Sequence, residues 1–139
     1  ANSLPVEPRP LHLRNVGFSY QGDVPTLSAI DVRVDPGEMV AFVGPSGAGK
    51  STLISLLLRF YDPTSGSVAL GGHDLRELSL STVRSHIAVV SQDSPLFPDT
   101  VAANLRYGAP DASNEAIRQA AREAGAAEFI ESLPDGYDT

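Results

Sequence analysis

The sequence has no cysteine and a single lysine, and nowhere do about 18 apolar residues follow one another. Without cysteine there are neither disulfides nor thiolate metal sites, and a reducing, cytoplasmic setting fits. Without a long apolar run, no part of these 139 residues is expected to span a bilayer. Ala1–Pro10 has no basic region and no apolar stretch, so it does not read as a signal peptide. Positive charge is scarce too: 10 basic residues face 17 acidic ones, a formal charge of −7. A nucleic-acid partner needs clustered Lys and Arg, and no such footprint is present. The same acidic excess repels any polyanion at long range, so a polyanion site must create its own local positive field. Nine of the ten basic residues are Arg, which leaves Lys50 as the lone ammonium side chain.

What is present fits one ordinary domain's worth of chain. A hydrophobic fraction of 42% with 12 Gly and 11 Pro reads as globular and rich in turns rather than disordered. Pro5, Pro8 and Pro10 punctuate a start without periodicity, as in a linker arriving from something upstream. Apolar and polar residues alternate over Leu11–Tyr20 and Leu27–Val34, the pattern of half-buried strands. Asp35-Pro36-Gly37-Glu38 reads as a turn. Met39–Val43 is a short continuous apolar run, expected to be a strand covered on both faces, and Ile87–Val90 is a second. A helix is expected from Gly49, with so little polar face that it should be buried all round. Ser67–Leu70 reads as a brief strand. Beyond Gln92 the character is helical: Asp99–Tyr107 closed by Gly108, a helix capped by Ser113 and stopped by Gly125, and a third over Ala126–Leu133.

One motif carries chemistry. Gly44-Pro45-Ser46-Gly47-Ala48-Gly49-Lys50-Ser51 fits G-x-x-x-x-G-K-[ST], with Thr52 following, and it sits between a strand candidate and a helix candidate. Small residues let consecutive backbone N–H groups turn inward around phosphates, and Gly tolerates the backbone angles this needs. The helix N-terminus adds a partial positive charge of about half an elementary unit. Lys50 brings a compact ammonium suited to β- and γ-phosphates, where an Arg fork fits less well, and Ser51 offers its hydroxyl to Mg²⁺. The plainer alternative is a glycine-rich turn before a helix, but it leaves the placement of the only lysine unexplained. The loop signals a nucleoside triphosphate strongly and its fate weakly. With one lysine, the guanine-reading N-K-x-D pattern is impossible, and D-x-x-G is absent as well. His12, His73 and His86 lack metal-ligand spacing, and no pair of carboxylates stands out as acid and base.

The chain also holds longer words: Phe18-Ser19-Tyr20, Gly44–Leu53, Arg59-Phe60-Tyr61-Asp62-Pro63-Thr64-Ser65-Gly66, Gly72-His73-Asp74-Leu75, and Ile87–Gln92 with Asp93. With these it resembles the front part of the nucleotide-binding domain of an ABC transporter. Leu96-Phe97-Pro98-Asp99-Thr100-Val101, Asn104-Leu105 and Leu133–Thr139 give the resemblance an exporter flavour, with membrane helices fused upstream. Gly71 and Ser91 depart from the pattern, where an acidic residue and a proline are usual; neither touches the chemistry. The resemblance implies an α/β fold: a P-loop NTPase core with an antiparallel β subdomain and the start of the ABC α-helical subdomain, an incomplete domain. It divides the chain into a linker from an upstream membrane domain (1–10), the P-loop core with its β subdomain (11–91), and a Q-loop with part of the helical subdomain (92–139).

By that resemblance, Tyr20 stacks on adenine, a contact of about 1–3 kcal/mol in nucleic-acid complexes. Residues Gly44 to Thr52 hold the phosphates of ATP. Lys50 and Gln92 serve catalysis, and Ser51 and Gln92 reach Mg²⁺. The implied partners are ATP, the membrane-spanning domain of the same parent chain, and a second nucleotide-binding domain, at the cytoplasmic face of a membrane. The family's strand ending in Asp-Glu, its Leu-Ser-Gly-Gly-Gln word and its switch His do not occur in this sequence. Binding without appreciable hydrolysis is therefore expected of these residues alone. Two other readings share the same loop: an importer subunit or soluble ABC protein, and a non-hydrolytic ATP sensor.

Overall fold

The structure, a computed structural model, describes residues 8–22 and 24–139. Of the linker expected over 1–10, residues 1–7 lie outside the described residues. The chain forms two units, 1–89 and 90–139. Among the described residues no helix is long and apolar enough to cross a membrane.

The first unit is built on a four-stranded antiparallel sheet. Its strands are β1 (Leu11–Phe18), β2 (Leu27–Val34), β3 (Ser65–Leu70) and β4 (His73–Asp74), in the order β2-β1-β3-β4. Leu13 and Val16 are both fully buried although they lie three apart, which a strict period of two forbids. A bulge resolves this: three steps of β1 from Leu13 to Val16 oppose two of β2, and three from Arg14 to Gly17 oppose two of β3, with Asn15 left-handed at φ 47°. The Asn15 N–H, turned out of the ladder, donates to the Asp31 carboxylate at 2.9 Å. Ala29 (φ 50°) repeats the device on β2 one step later, so that Phe18 comes back into register with Leu27. The bulge pushes the Arg14 and Asn15 carbonyls into β3, and only a residue without Cβ leaves room there. That residue is Gly66, itself at φ 74°.

Helix α1 (Lys50–Leu57) packs Leu53 and Leu56 onto the sheet's core of Leu13, Val16, Val68 and Leu75. It is buried on one side only, and here the expectation of all-round burial fails. Ile54 is 39% exposed, and Phe60, just past the helix, 59%. At the end of α1 the chain reverses through Arg59 (φ 52°), whose guanidinium donates to the Leu75 and Leu78 carbonyls, both at 2.7 Å, and to Asp62 at 3.1 Å. This ties the turn carrying Phe60 and Tyr61 to the 3-10 turn at Leu75–Glu77. That turn is capped by Asp74, whose carboxyl the hydrogen-bonded Arg76 guanidinium holds below the usual carboxylate range. Helix α2 (Leu80–Ser85) follows, with Ser79 as its N-cap.

Neither continuous apolar run is a strand. Met39–Val43 carries Met39 at 99% and Val43 at 94% exposure, and Val89 and Val90 stand at 50% and 95%. An apolar run states which surroundings a segment needs, but a strand exists only where a neighbour takes its hydrogen bonds. Among the described residues no strand is hydrogen-bonded to either run.

The second unit is helical: α3 (Val101–Arg106), α4 (Asn114–Glu123), α5 (Ala127–Glu131) and a closing 3-10 turn at Gly136–Asp138. Its small core joins Ile117 and Ala121 of α4 to Ile130 and Tyr137. Thr100 and Ser113 cap α3 and α4, each accepting the N–H three residues on.

Gly66→Ala is expected to cost at least about 3 kcal/mol, since strain at positive φ adds to a backbone collision. Gly72→Ala is also at positive φ (84°) but meets nothing within 4 Å, and should cost only about 1–2 kcal/mol. Urea midpoints of the two variants check this; equal losses would show that the bulge does not dictate Gly66.

Candidate functional site

The loop from Gly44 to Gly49 leads directly into α1. Gly47 and Gly49 both adopt left-handed backbone angles, at φ 82° and 86°. Gly49 is also crowded: a Cβ there would lie 2.6 Å from Leu27 Cδ2 and 3.0 Å from the Thr26 carbonyl. The start of α1 is thus seated against the beginning of β2, closer than any side chain permits. Gly44 to Ala48 are solvent-exposed, Gly49 and Thr52 are buried, and Ser51 is exposed on the first turn.

The N-terminus of α1 differs from those of α2, α3 and α4. They are capped by Ser79, Thr100 and Ser113, whereas Gly49 supplies no side-chain acceptor and the first turn of α1 contains no acidic residue. The orphan N–H groups and the positive end of the helix dipole are left for something other than this chain's side chains. Lys50 adds its charge at the same place. Its Nζ donates to the Gly44 and Pro45 carbonyls, each at 2.6 Å, bridging the loop's start to its end. Among the described residues the ion pairs are Arg33–Asp35, Arg59–Asp62 and Asp74–Arg76, so no carboxylate neutralises Lys50.

Tyr20 approaches from the end of β1. Its loop is closed by the Thr26 N–H donating to the Phe18 carbonyl at 2.8 Å, and by Ser19 Oγ, which lies 3.0 and 2.6 Å from the Gly22 and Val24 carbonyls. The hydroxyls of Tyr20 and Thr52 form a hydrogen bond of 3.1 Å, which brings the aromatic ring to the first turn of α1. The structure therefore assembles Tyr20 with Gly44, Pro45, Ser46, Gly47, Ala48, Gly49, Lys50, Ser51 and Thr52 in one unit. Gln92 belongs to the other unit, on an exposed bend pinned by Ser91 Oγ donating to the Asp93 carbonyl at 2.6 Å. His12 accepts from Arg14 Nε at 3.2 Å and His86 bonds to the Thr82 carbonyl at 2.8 Å; both serve local structure.

Two features of the site were not read from the sequence. The contact of Gly49 with Leu27 joins residues that no spacing rule links. Tyr61, named only within a longer word, packs against Tyr20 at 5.3 Å between ring centroids. Its only sequence signal is its nearness to the turn that ends α1.

A glycine-rich loop feeding an uncapped helix, with a lysine at the helix start, defines a P-loop protein of the α/β class. Residues 27–137 match the ABC transporter family, and the chain belongs to it. It is 52% identical over its whole length to the ATP-dependent lipid A-core flippase of Chromobacterium violaceum, covering 24% of that protein. To the mitochondrial iron-sulfur clusters transporter ATM1 of Chaetomium globosum it is 51% identical, over 90% of the chain and 21% of the relative. Among solved structures, a bacterial Atm1-family ABC exporter with ATP bound matches the whole chain with a TM-score of 0.90 and 42% identity, over 24% of that protein. The chain spans about a quarter of the length of these relatives.

The tight seat of Gly49 can be tested by a double-mutant cycle. Gly49→Ala is expected to destabilise by about 2–4 kcal/mol in the native background and by at least about 1 kcal/mol less when Leu27 is already Ala. Guanidinium unfolding of the four proteins measures the coupling; zero coupling would mean that the Leu27 side chain takes no part in the loss.

Proposed function

We propose that this chain is the ATP-binding front portion of the nucleotide-binding domain of an ABC exporter, the part that couples nucleotide binding to transport. The observation that carries the reading is the uncapped, acid-free start of α1 with Lys50 held across the loop, paired with no carboxylate among the described residues. The resemblance to the exporters named above supports it.

The residues present fit a triphosphate. The Gly44 to Gly49 loop offers exposed backbone around its mouth, and the first turn of α1 offers N–H groups without a side-chain cap. Lys50 needs only to exchange two neutral carbonyls for phosphate oxygens, which adds the attraction of opposite full charges to hydrogen bonds the ammonium already makes. Ser51, exposed on that turn, would offer its hydroxyl to Mg²⁺. The ion, when bound, offsets charge between the β- and γ-phosphates. Tyr20, reaching the same turn through Thr52, would take the adenine. On this reading residues 11–91 form the P-loop core with its β subdomain, 92–139 the Q-loop and part of the helical subdomain, and 1–10 the approach from a membrane domain. The exporter's membrane-spanning domain and a second nucleotide-binding domain are its partners, at the cytoplasmic face of the membrane.

Lys50→Ala is expected to weaken ATP binding by about 100-fold or more, the worth of a charge-assisted contact of roughly 3 kcal/mol. Calorimetry checks it, and undiminished binding would contradict the assignment. These 139 residues alone should release phosphate from Mg-ATP at well under about 1 s⁻¹, the low end of ordinary enzymes. Turnover above that rate would show that the catalytic base is not needed from elsewhere.

A further inference from the structure

A half-exposed tyrosine on a loop normally samples several rotamers, yet Tyr20 is constrained three times. The residue is 51% exposed. Its ring stands perpendicular to Phe18 at a centroid distance of 4.9 Å and perpendicular to Tyr61 at 5.3 Å, both at 87°. Phe18 and Tyr61 themselves lie 5.4 Å apart, which closes a triangle of rings. The third constraint is the hydroxyl bond to Thr52, whose own side chain is held by 95% burial (5% exposed) in the first turn of α1. Perpendicular pairs are the arrangement that ring quadrupoles favour, and a ring fixed by two of them and by its hydroxyl has both side-chain torsions determined.

The elements that impose these constraints are distinct. Phe18 is buried in β1; Tyr61 rides on the turn after α1 that Arg59 anchors to the Leu75 and Leu78 carbonyls; Thr52 belongs to the helix that starts at the loop. We infer that Tyr61 and Thr52 are positioning residues for an aromatic base bound at Tyr20, so that the base's share of nucleotide affinity depends on side chains that do not touch the base. This rests on the ATP-binding reading of the same site. Pre-orienting the ring removes an ordering cost that the base would otherwise meet on binding.

The test is the ratio of affinities of the full-length protein for Mg-ATP and for Mg-tripolyphosphate, which has the phosphates and no base. Base stacking should make ATP the tighter ligand, by about 5- to 150-fold. Tyr61→Leu should lower the ATP affinity about 5-fold or more and leave tripolyphosphate within twofold. Tyr61→Phe, which keeps the ring, should restore the ratio. Tyr20→Phe, which keeps the stacking ring but loses the bond to Thr52, should lower the ratio about threefold without touching tripolyphosphate. An unchanged ratio in Tyr61→Leu, or equal weakening of both ligands, would overturn the inference while the phosphate site stands. If the unmutated protein binds tripolyphosphate as well as ATP, the inference also falls. If it binds neither, the ATP-binding reading falls with it. Should Tyr61→Leu fail to fold, Tyr20→Phe decides alone.

Discussion

At residue 49 two demands meet on one backbone position. The chain must turn left-handed to enter α1, and it must pass so near Leu27 and Thr26 that a methyl group does not fit. Glycine alone meets both. The consequence is rigid registry between a helix start and the sheet, and everything at the site hangs from that registry. Leu53 and Leu56 hold the helix from behind by burial in the sheet's core. The orphan N–H groups then point into the loop's mouth from a fixed origin. If the helix start could slide by a residue, neither the Lys50 bridge to Gly44 and Pro45 nor the Thr52 bond to Tyr20 would survive.

A second consequence reaches the sheet. Tyr20 arrives at α1 because β1 ends in register with Leu27, and it does so only because two bulges, at Asn15 and Ala29, offset each other. The first adds a residue to β1 and the second adds one to β2, so the strands leave the distorted zone aligned. Gly66 on β3 accommodates the first bulge. The path from a glycine in a central strand to the placement of an aromatic ring is thus a chain of contacts. No one of them is large, but each restricts the next to a single arrangement.

What the sequence made legible was local. Ser113 accepts the Ala116 N–H as a cap should, and the alternating runs became β1 and β2 at nearly the expected bounds. The glycine-rich loop and the helix after it were readable for the same reason, since neighbours in sequence decide them, whereas the antiparallel sheet was implied only by the family resemblance. The family followed from words such as Arg59–Gly66, and the match over residues 27–137 agrees. What was illegible depended on remote partners. Met39–Val43 and Ile87–Val90 carry strand composition, but a strand needs a neighbour that takes its hydrogen bonds, and no described strand pairs with them. Helix α1 looked apolar all round, yet burial of Ile54 needs a second layer that these residues do not form around it. The bulge at Asn15 breaks the alternation it would be read from. The Tyr20–Tyr61 contact joins two loops at opposite ends of α1, and no periodicity reports such a pair.

The charge balance finally bears on how an acidic chain can hold an anion. Seventeen carboxylates set the long-range field, but at physiological salt the screening length is about 8 Å, so most of them are felt weakly at the loop. The local sources decide instead. Lys50 is held by neutral carbonyls, which orient the ammonium without cancelling its charge. Had an Asp or Glu occupied that place, an incoming phosphate would have to displace a charge–charge contact and leave a carboxylate stranded beside it. The absence of acid from the first turn of α1 works in the same direction, because an acidic residue there would complement the helix dipole that the anion otherwise meets. A positive field of short range, built from uncapped amides and one ammonium that no described carboxylate pairs with, can prevail at the loop over a net charge of −7 because attraction is strongest at contact while the wider charge acts through screening salt.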